Sequence, residues 1–495
     1  MNWWTQNKRL GTWCAVAAAA ALLAACGGGS DDGDNSTPPV GPKAYFVDSA
    51  VLPASAIKST AALSEAVRPA AATLVLPEWS ETKQAPVSLP GMPMQIGAPR
   101  SVPATQTAGG TSQTLQWTSA PGGGQVAALS ITSSGAYGVR LGVVVTSLPD
   151  AAQIRLYRQD RGQTGFQTTG QAINEALARN VAADGDSQAA RTWWSPDLEA
   201  DEVTLEIALP AGVSPAQVQF AIPTLSHTYV NLALPLESDL QDGFAAKNVG
   251  DSGRCELDAS CADQYNTERN AVARMTFVGA NGGSFYCTGT LLNNTKKDYA
   301  PYFLSANHCI STQASATSLR TDWFFRSASC NSAARNPLAA TRQQGATLLY
   351  ATSVTDTTLM RLNEMPPVGV TLAGWDARSS TGQGTGTYGL HHPVGDLLKY
   401  SEGPIQSYAK CSVGGEGISC SAGDSQSDFY VVKWSKGVTE GGSSGSAIFT
   451  GGRVVGTLTG GSSACTAAGV ANGGIDAYGR FDHAFNNKLK DWLAQ

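Results

Sequence analysis

Three short runs in the C-terminal half carry groups that can act together on an acyl bond. Leu304-Ser305-Ala306-Asn307-His308-Cys309 holds a histidine, Asp356-Thr357-Thr358-Leu359-Met360-Arg361-Leu362 opens on an aspartate, and Gly441-Gly442-Ser443-Ser444-Gly445-Ser446-Ala447 sets serines among glycines. A serine hydroxyl alone is a poor nucleophile at neutral pH. It needs a base to take its proton and a carboxylate to orient that base. His308, Asp356 and Ser444 supply one of each, in that chain order. A histidine beside a cysteine is by itself usually structural, and a Gly/Ser run is usually a loop, so the joint pattern carries the reading.

The elements that must position these groups are short β-like runs separated by Gly/Ser turns, from about residue 250 onward. Only the last segment differs: Phe485, Leu489, Trp492 and Leu493 recur at helical spacing after a possible Asp482 cap. Residues 43–247 contain no cysteine and alternate as strands do. Val203, Leu205, Ile207 and Leu209 share one face of a run, Ile154 to Tyr157 and Val218 to Phe220 behave similarly, and a β-sandwich is expected there. Trp193 and Trp194 are read as packing residues. The expected division is a leader at 1–26, a flexible linker at 27–42, a β-rich N-terminal region at 43–247 and a catalytic domain at 248–495.

Bulk composition narrows the class. The chain has 495 residues, 42% hydrophobic, enough for two large domains with real cores. A net charge of −6 argues against a nucleic-acid partner. Lys8 and Arg9, the apolar stretch Ala15 to Leu23 and the small residues up to Cys26 read as an export signal. Leu23-Ala24-Ala25-Cys26 has the form of a bacterial lipobox, which predicts lipidation of Cys26 and a membrane anchor; an ordinary signal peptide cut near this point is the alternative. The eight cysteines beyond Cys26 all fall in the C-terminal half, and in an oxidising compartment an even set reads as four disulfides. Zinc is the other reading of such residues, but no C-x-x-C pair is present. No motif calls for a metal or a cofactor.

The C-terminal half resembles the bacterial lysyl endopeptidases of the trypsin-like serine protease superfamily. The resemblance rests on Cys287-Thr288-Gly289-Thr290-Leu291, Tyr302-Phe303-Leu304-Ser305-Ala306-Asn307-His308-Cys309, Ala373-Gly374-Trp375-Asp376, His391-His392-Pro393, Thr439-Glu440-Gly441-Gly442-Ser443-Ser444-Gly445-Ser446 and Asp476-Ala477-Tyr478-Gly479-Arg480. It implies an all-β fold: a chymotrypsin-like double β-barrel with a C-terminal helix, preceded here by the β-sandwich-like region. It implies Ser444 as nucleophile, His308 as general base and acid, Asp356 as the orienting carboxylate, and the N–H groups of Gly442 and Ser444 as oxyanion hole. It implies the disulfides Cys255–Cys465, Cys261–Cys330 and Cys287–Cys309; Cys411 and Cys420 remain, at hairpin spacing. A long pro-region is also implied; Lys247, before Asn248-Val249-Gly250 and just ahead of Cys255, offers a basic site for a cut at the junction, and a permanent accessory domain is the alternative.

Two departures bear on this. Ser443 stands where animal trypsins carry an Asp that pairs with a freed N-terminus. Val438 stands where their pocket Asp lies, and the acid in the lysyl endopeptidase position is Asp476. That acid predicts cleavage after Lys, with Thr459 and Gly460 beside it; Thr459 replaces a family histidine, which leaves Arg open. The expected partners are therefore protein or peptide substrates with a basic residue before the scissile bond, and the expected location is the cell envelope or the medium. Two other readings are a catalytically inactive surface binding module, which would need none of the three groups, and a lipase or esterase. The α/β-hydrolase order Ser, acid, His is not the order found here.

Overall fold

Val203, Leu205, Ile207 and Leu209 all point into a core from the strand Glu202–Leu209, as the alternation predicts. Thr204 and Glu206 on the other face are buried as well, and both edges of the strand are paired, with Gln125–Ser133 and Gln153–Tyr157, in a six-stranded sheet. Glu206, fully buried there, pairs with Arg155 at 2.8 Å. This sheet packs against Thr192–Trp194, Gly138–Ser147, Gln219–Thr228 and Met94–Ser101 through Leu129, Ile131, Leu141 and Leu225. The computed structural model describes residues 44–57, 68–79, 92–161, 164–232, 252–379, 381–414 and 417–495. The leader, Cys26, the linker and the Lys247 junction lie outside the described residues.

Among the described residues, two α-helices of the N-terminal region depart from the all-strand reading, Ala108–Thr114 and the longer Gly170–Asp184. The longer one is capped by the Thr169 hydroxyl accepting from the Ala172 amide. Ile173, Ala176 and Leu177 form its buried stripe, but Asn174 and Glu175 interrupt it, Arg179 and Asn180 follow it, and the periodic signal is blunted. At its far end the Asp184 carboxylate accepts from the amides of Gln313 and Ala314 at 2.9 and 2.7 Å, capping a helix of the catalytic half.

The two halves also share a sheet. Met94–Ser101 pairs antiparallel with Ser284–Leu292, matching Gly97 with Ser284, Gln95 with Phe285 and Met94 with Tyr286, so eleven strands run from the sandwich into the first barrel. Gly97 permits the approach, since a Cβ there would stand 3.0 Å from the His227 carbonyl oxygen and 3.1 Å from the Ser284 Cβ. The second barrel is a ten-stranded sheet that contains Gly386–His391, Lys399–Gly414, Ala447–Thr450, Arg453–Gly461 and Ile475–Arg480. The chain closes with a helical segment from Phe481 to Leu493 that takes a π turn over Phe485–Leu489. Phe485, Leu489 and Leu493 are buried, whereas Asp482 lies inside the first turn and pairs with Arg480 instead of capping.

The seam between the halves is polar. Arg140 donates to the Ser318 carbonyl at 2.6 Å, and Arg320 bridges Glu199 and Asp322. Burial pushes the nearby Asp197 carboxyl up to about 6, against the pull of Arg320. The folded chain therefore holds that proton more tightly than the unfolded chain. This contribution to stability is complete in acid and is lost as pH rises through about 6. Asp197→Asn is expected to match the wild type near pH 4, and to be more stable at pH 7.5 by on the order of 2–3 kcal/mol, in urea unfolding at both values.

The structure pairs Cys255 with Cys465, Cys261 with Cys330, Cys287 with Cys309 and Cys411 with Cys420. Cys287–Cys309 spans 22 residues and ties the strand Ser284–Leu292 to the turn after His308. Replacing both by Ser is expected to cost about 3 kcal/mol in the chain-entropy account, read as a lowered thermal midpoint.

Candidate active site

The site is built where two paired strands end. Tyr302–Ala306 and Thr357–Leu362 are antiparallel, with Ala306 opposite Thr357, so the residues just beyond that pair, His308 and Asp356, are neighbours. Asp356 adopts φ 46°, a conformation a non-glycine residue takes only when its surroundings hold it. What holds it is a set of three bonds. Its carbonyl accepts from the Asn307 amide at 3.1 Å, Oδ1 accepts from the His308 amide at 2.8 Å, and Oδ2 lies 2.7 Å from His308 Nδ1. A carboxylate can only accept at that contact, which places the imidazole proton on Nδ1 and leaves the Nε2 lone pair free. Nε2 is buried and makes no hydrogen bond among the described residues.

The serine loop is brought to this pair by glycines and by Thr288. At Gly445, φ is 81°, and a Cβ would collide with Ser305 Oγ and crowd the Ala306 amide; that packing sets the loop against the strand leading to His308. Thr288 donates from its amide to the Ser444 carbonyl at 2.8 Å and from its hydroxyl to the Gly442 carbonyl at 3.0 Å. The Val394 amide donates to the Gly441 carbonyl at 2.6 Å. The Gly441–Gly442 peptide is therefore fixed from the side of its oxygen, and the Gly442 N–H must face the other way. Gly442 itself has φ 93°, and a Cβ on it would press on the His392 carbonyl.

The two histidines of His391-His392-Pro393 serve this loop from below. His391 Nδ1 lies 2.9 Å from Ser443 Oγ, and the His392 amide donates to the Thr288 hydroxyl. Burial lowers both imidazoles to about 3, which makes them poor bases at neutral pH. Ser443 thus pairs with a neutral ring.

A cavity of about 590 Å³ opens beside Ser444, with Gly460, Gly461, Ser463 and Asp476 in its wall. Thr459 is fully buried but is not part of that wall. Asp476, 1% exposed, sits where Ile475–Arg480 crosses between Phe429–Lys433 and Arg453–Gly461. Its Oδ2 accepts from Trp434 Nε1 at 2.6 Å, Thr439 Oγ1 at 2.8 Å and Ser463 Oγ at 2.5 Å. Among the described residues its Oδ1 receives only the Ser463 amide, at 3.4 Å. Burial raises the carboxyl, and the hydrogen bonds from Ser463, Trp434 and Thr439 oppose that rise. One oxygen is thus clamped by three donors and the other has acceptor capacity left for a cation.

Sequence reasoning did not single out Trp434, Ser463 or Thr288 as parts of the site. Thr288 and Thr439 lie in motif stretches, whereas nothing in the spacing marks Trp434 or Ser463. It also missed Met92, a residue of the N-terminal region that lines the cavity. Among the described residues one cluster is close enough to ligate a metal, Cys287, His308 and Cys309, but both sulfurs are in the disulfide.

Two β-barrel sheets, with a His–Asp pair at the strand ends of the first and a serine in a glycine-containing loop of the second, make the architecture of a trypsin-like serine endopeptidase. The family model described as lysyl endopeptidase, C-terminal domain, matches residues 249–479, and the lysyl endopeptidase N-terminal domain model matches residues 69–229. The lysyl endopeptidase of Pseudomonas aeruginosa is 33% identical over 373 residues, 73% of this chain and 72% of that protein. The secreted RxLR effector protein 73 of Plasmopara viticola is 24% identical over 232 residues, 44% of this chain and 54% of that protein. Similar solved structures include the MamO protease domain of Magnetospirillum magneticum, 12% identical with a TM-score of 0.29, over 46% of this chain and 98% of that one. The active form of the Rv3671c protease of M. tuberculosis is 13% identical with a TM-score of 0.31, over 48% of this chain and 89% of that one. The chain belongs to the lysyl endopeptidase family, and it is a serine endopeptidase.

Proposed function

We propose that the enzyme cleaves peptide bonds on the carboxyl side of lysine, and more weakly of arginine, through an acyl-enzyme on Ser444. His308 Nε2 takes the Ser444 proton as Oγ attacks the substrate carbonyl carbon. The carbonyl oxygen, now an anion, accepts from the N–H groups of Gly442 and Ser444. His308, a cation at that stage, is stabilised through Nδ1 by Asp356 and returns the proton to the departing amine nitrogen. Water then attacks the ester with His308 again as base, and the acid product leaves. The observation that carries the specificity is the half-satisfied carboxylate of Asp476 in the cavity that also holds Ser444. A lysine ammonium can reach Oδ1 as a point charge. With three donors already on Oδ2, the two-oxygen fork that an arginine prefers is not on offer. Cleavage of a peptide library, read by mass spectrometry, is expected to show Lys before the cut in most products and Arg in a minority. Cuts after apolar residues at a similar rate would reject the assignment.

The N-terminal region acts in this reading as a pro-region cut near Lys247, and residues 1–26 direct export, with Cys26 as lipid anchor. No helix among the described residues is long and apolar enough to cross a membrane. Both the junction and Cys26 lie outside the described residues, so N-terminal sequencing of the processed protein and metabolic labelling with a fatty acid are the tests.

A further inference from the structure

The segment 44–57 stands apart from the rest of the N-terminal region. It precedes the stretch matched by the N-terminal family model. Among the described residues, each of its hydrogen bonds beyond itself goes to the catalytic half. Phe46 and Val47 pair with Asp376 and Trp375, and Ala50 and Val51 pair with Leu372 and Thr371. The Leu52 amide donates to the Val370 carbonyl at 2.8 Å, and the Ala377 amide donates to the Tyr45 carbonyl at 2.8 Å. Asn293 Nδ2 donates to the Asp48 carbonyl, and the Gly374 amide donates to Ser49 Oγ, both at 2.8 Å.

The receiving surface is shaped for this backbone. A Cβ on Gly374 would lie 2.5 Å from the Val47 carbonyl oxygen and 2.8 Å from the Ser49 nitrogen. Side chains then seat the segment in both barrels. Leu52, 1% exposed, joins the core of Val370 and Leu372, and Val47 joins that of Trp375 and Val454. The Arg378 and Arg453 guanidinium groups lie 4.4 and 5.2 Å from the centre of the Phe46 ring, and Arg453 also pairs with Asp48 at 2.5 Å.

We infer that residues 44–57 form a clamp that stays on the catalytic half after the junction is cut, so that processing does not by itself release the peptidase from its N-terminal portion. The inference rests on the cut near Lys247 proposed above. Bound this way, the catalytic half remains attached to everything upstream of Phe46, Cys26 included. Severing the junction removes none of the contacts described, because all of them lie on the two sides of the cut.

The test uses the full chain after self-processing, run on a denaturing gel and on a native sizing column. Two bands on the gel and one joint peak on the column are expected. Gly97→Val, which disturbs the sandwich strand on Ser284 but not the clamp, should keep the joint peak. Adding Leu52→Asp should split it, raising the apparent dissociation constant of the halves at least about tenfold. Asp48→Ala with Phe46→Ala, which leaves the barrel cores intact, should weaken retention in the same direction and covers the case in which Leu52→Asp misfolds. Separation of the cut Gly97→Val halves would overturn the inference, as would equal retention with and without the clamp substitutions. A single band on the gel would instead reject the junction cut. The clamp would then be tested on chain opened at a site-specific cleavage sequence inserted after Lys247, with the same two outcomes.

Discussion

Ser444→Ala is expected to lower kcat/KM about 10⁶-fold, the scale seen when the nucleophile of a triad is removed, and to leave the protein folded. The size follows from the local geometry. His308 Nε2 makes no hydrogen bond among the described residues, so no second hydroxyl is engaged there to replace Ser444. Ser443 Oγ is engaged by His391 and by the Glu440 amide, and Ser446 is fully buried. Folding should survive because the structural bond of Ser444 is made by its carbonyl to the Thr288 amide, which alanine keeps. Circular dichroism and the thermal midpoint should match the wild type, and a serine-directed inhibitor should label only the wild type. The variant should also keep its N-terminal region, since it cannot cut near Lys247. Turnover above about a hundredth of wild type would remove Ser444 as nucleophile.

The second large effect is expected at Asp476. Asp476→Asn should lower kcat/KM for lysine substrates about 10²–10³-fold, because a desolvated ammonium left without its counter-charge costs roughly 3–5 kcal/mol. The change is nearly isosteric, but it places an amide nitrogen where the Trp434, Thr439 and Ser463 donors converge, or turns it toward the substrate cation. Either orientation sets a donor against a donor. The lost binding should therefore be specific to charge: the rate for an uncharged side chain of similar length should change little, and the Ser444 acylation rate with a small active ester should be retained. If both lysine and uncharged substrates fall together, Asp476 shapes the serine loop instead of recognising the substrate.

The catalytic half was legible because its chemistry is local in sequence. His308 sits next to its disulfide cysteine, and Ser444 lies in a run whose glycines are required by φ values near 80–90° at Gly442 and Gly445. The supports of Asp476 were not legible, since Trp434 and Ser463 reach it from separate strands and loops that only the register brings together. The helix Gly170–Asp184 was missed because its buried stripe is short and its exposed side carries Asn, Gln and Arg at no marked period. Nor does any sequence pattern say that Met94–Ser101 continues the first barrel's sheet, or that Val47 and Leu52 enter barrel cores. These are edge pairings, and an edge strand looks the same in sequence whichever neighbour it finds.

The Cys255–Cys465 bridge joins the start of the catalytic half to the wall of the cavity, 210 residues later. Gly253 packs so closely on Cys465 that a Cβ there would lie 2.4 Å from its sulfur, and the Gly253 amide donates to Glu440 in the serine loop. In a reducing, thiol-rich compartment such a bridge is not kept, and the wall that carries Ser463 toward Asp476 then loses its covalent tie to the start of the catalytic half. Substrate recognition is thereby coupled to thiol chemistry: reducing Cys255–Cys465 is expected to loosen the wall that faces Asp476 and to slow cleavage after lysine more than acylation by a small active ester.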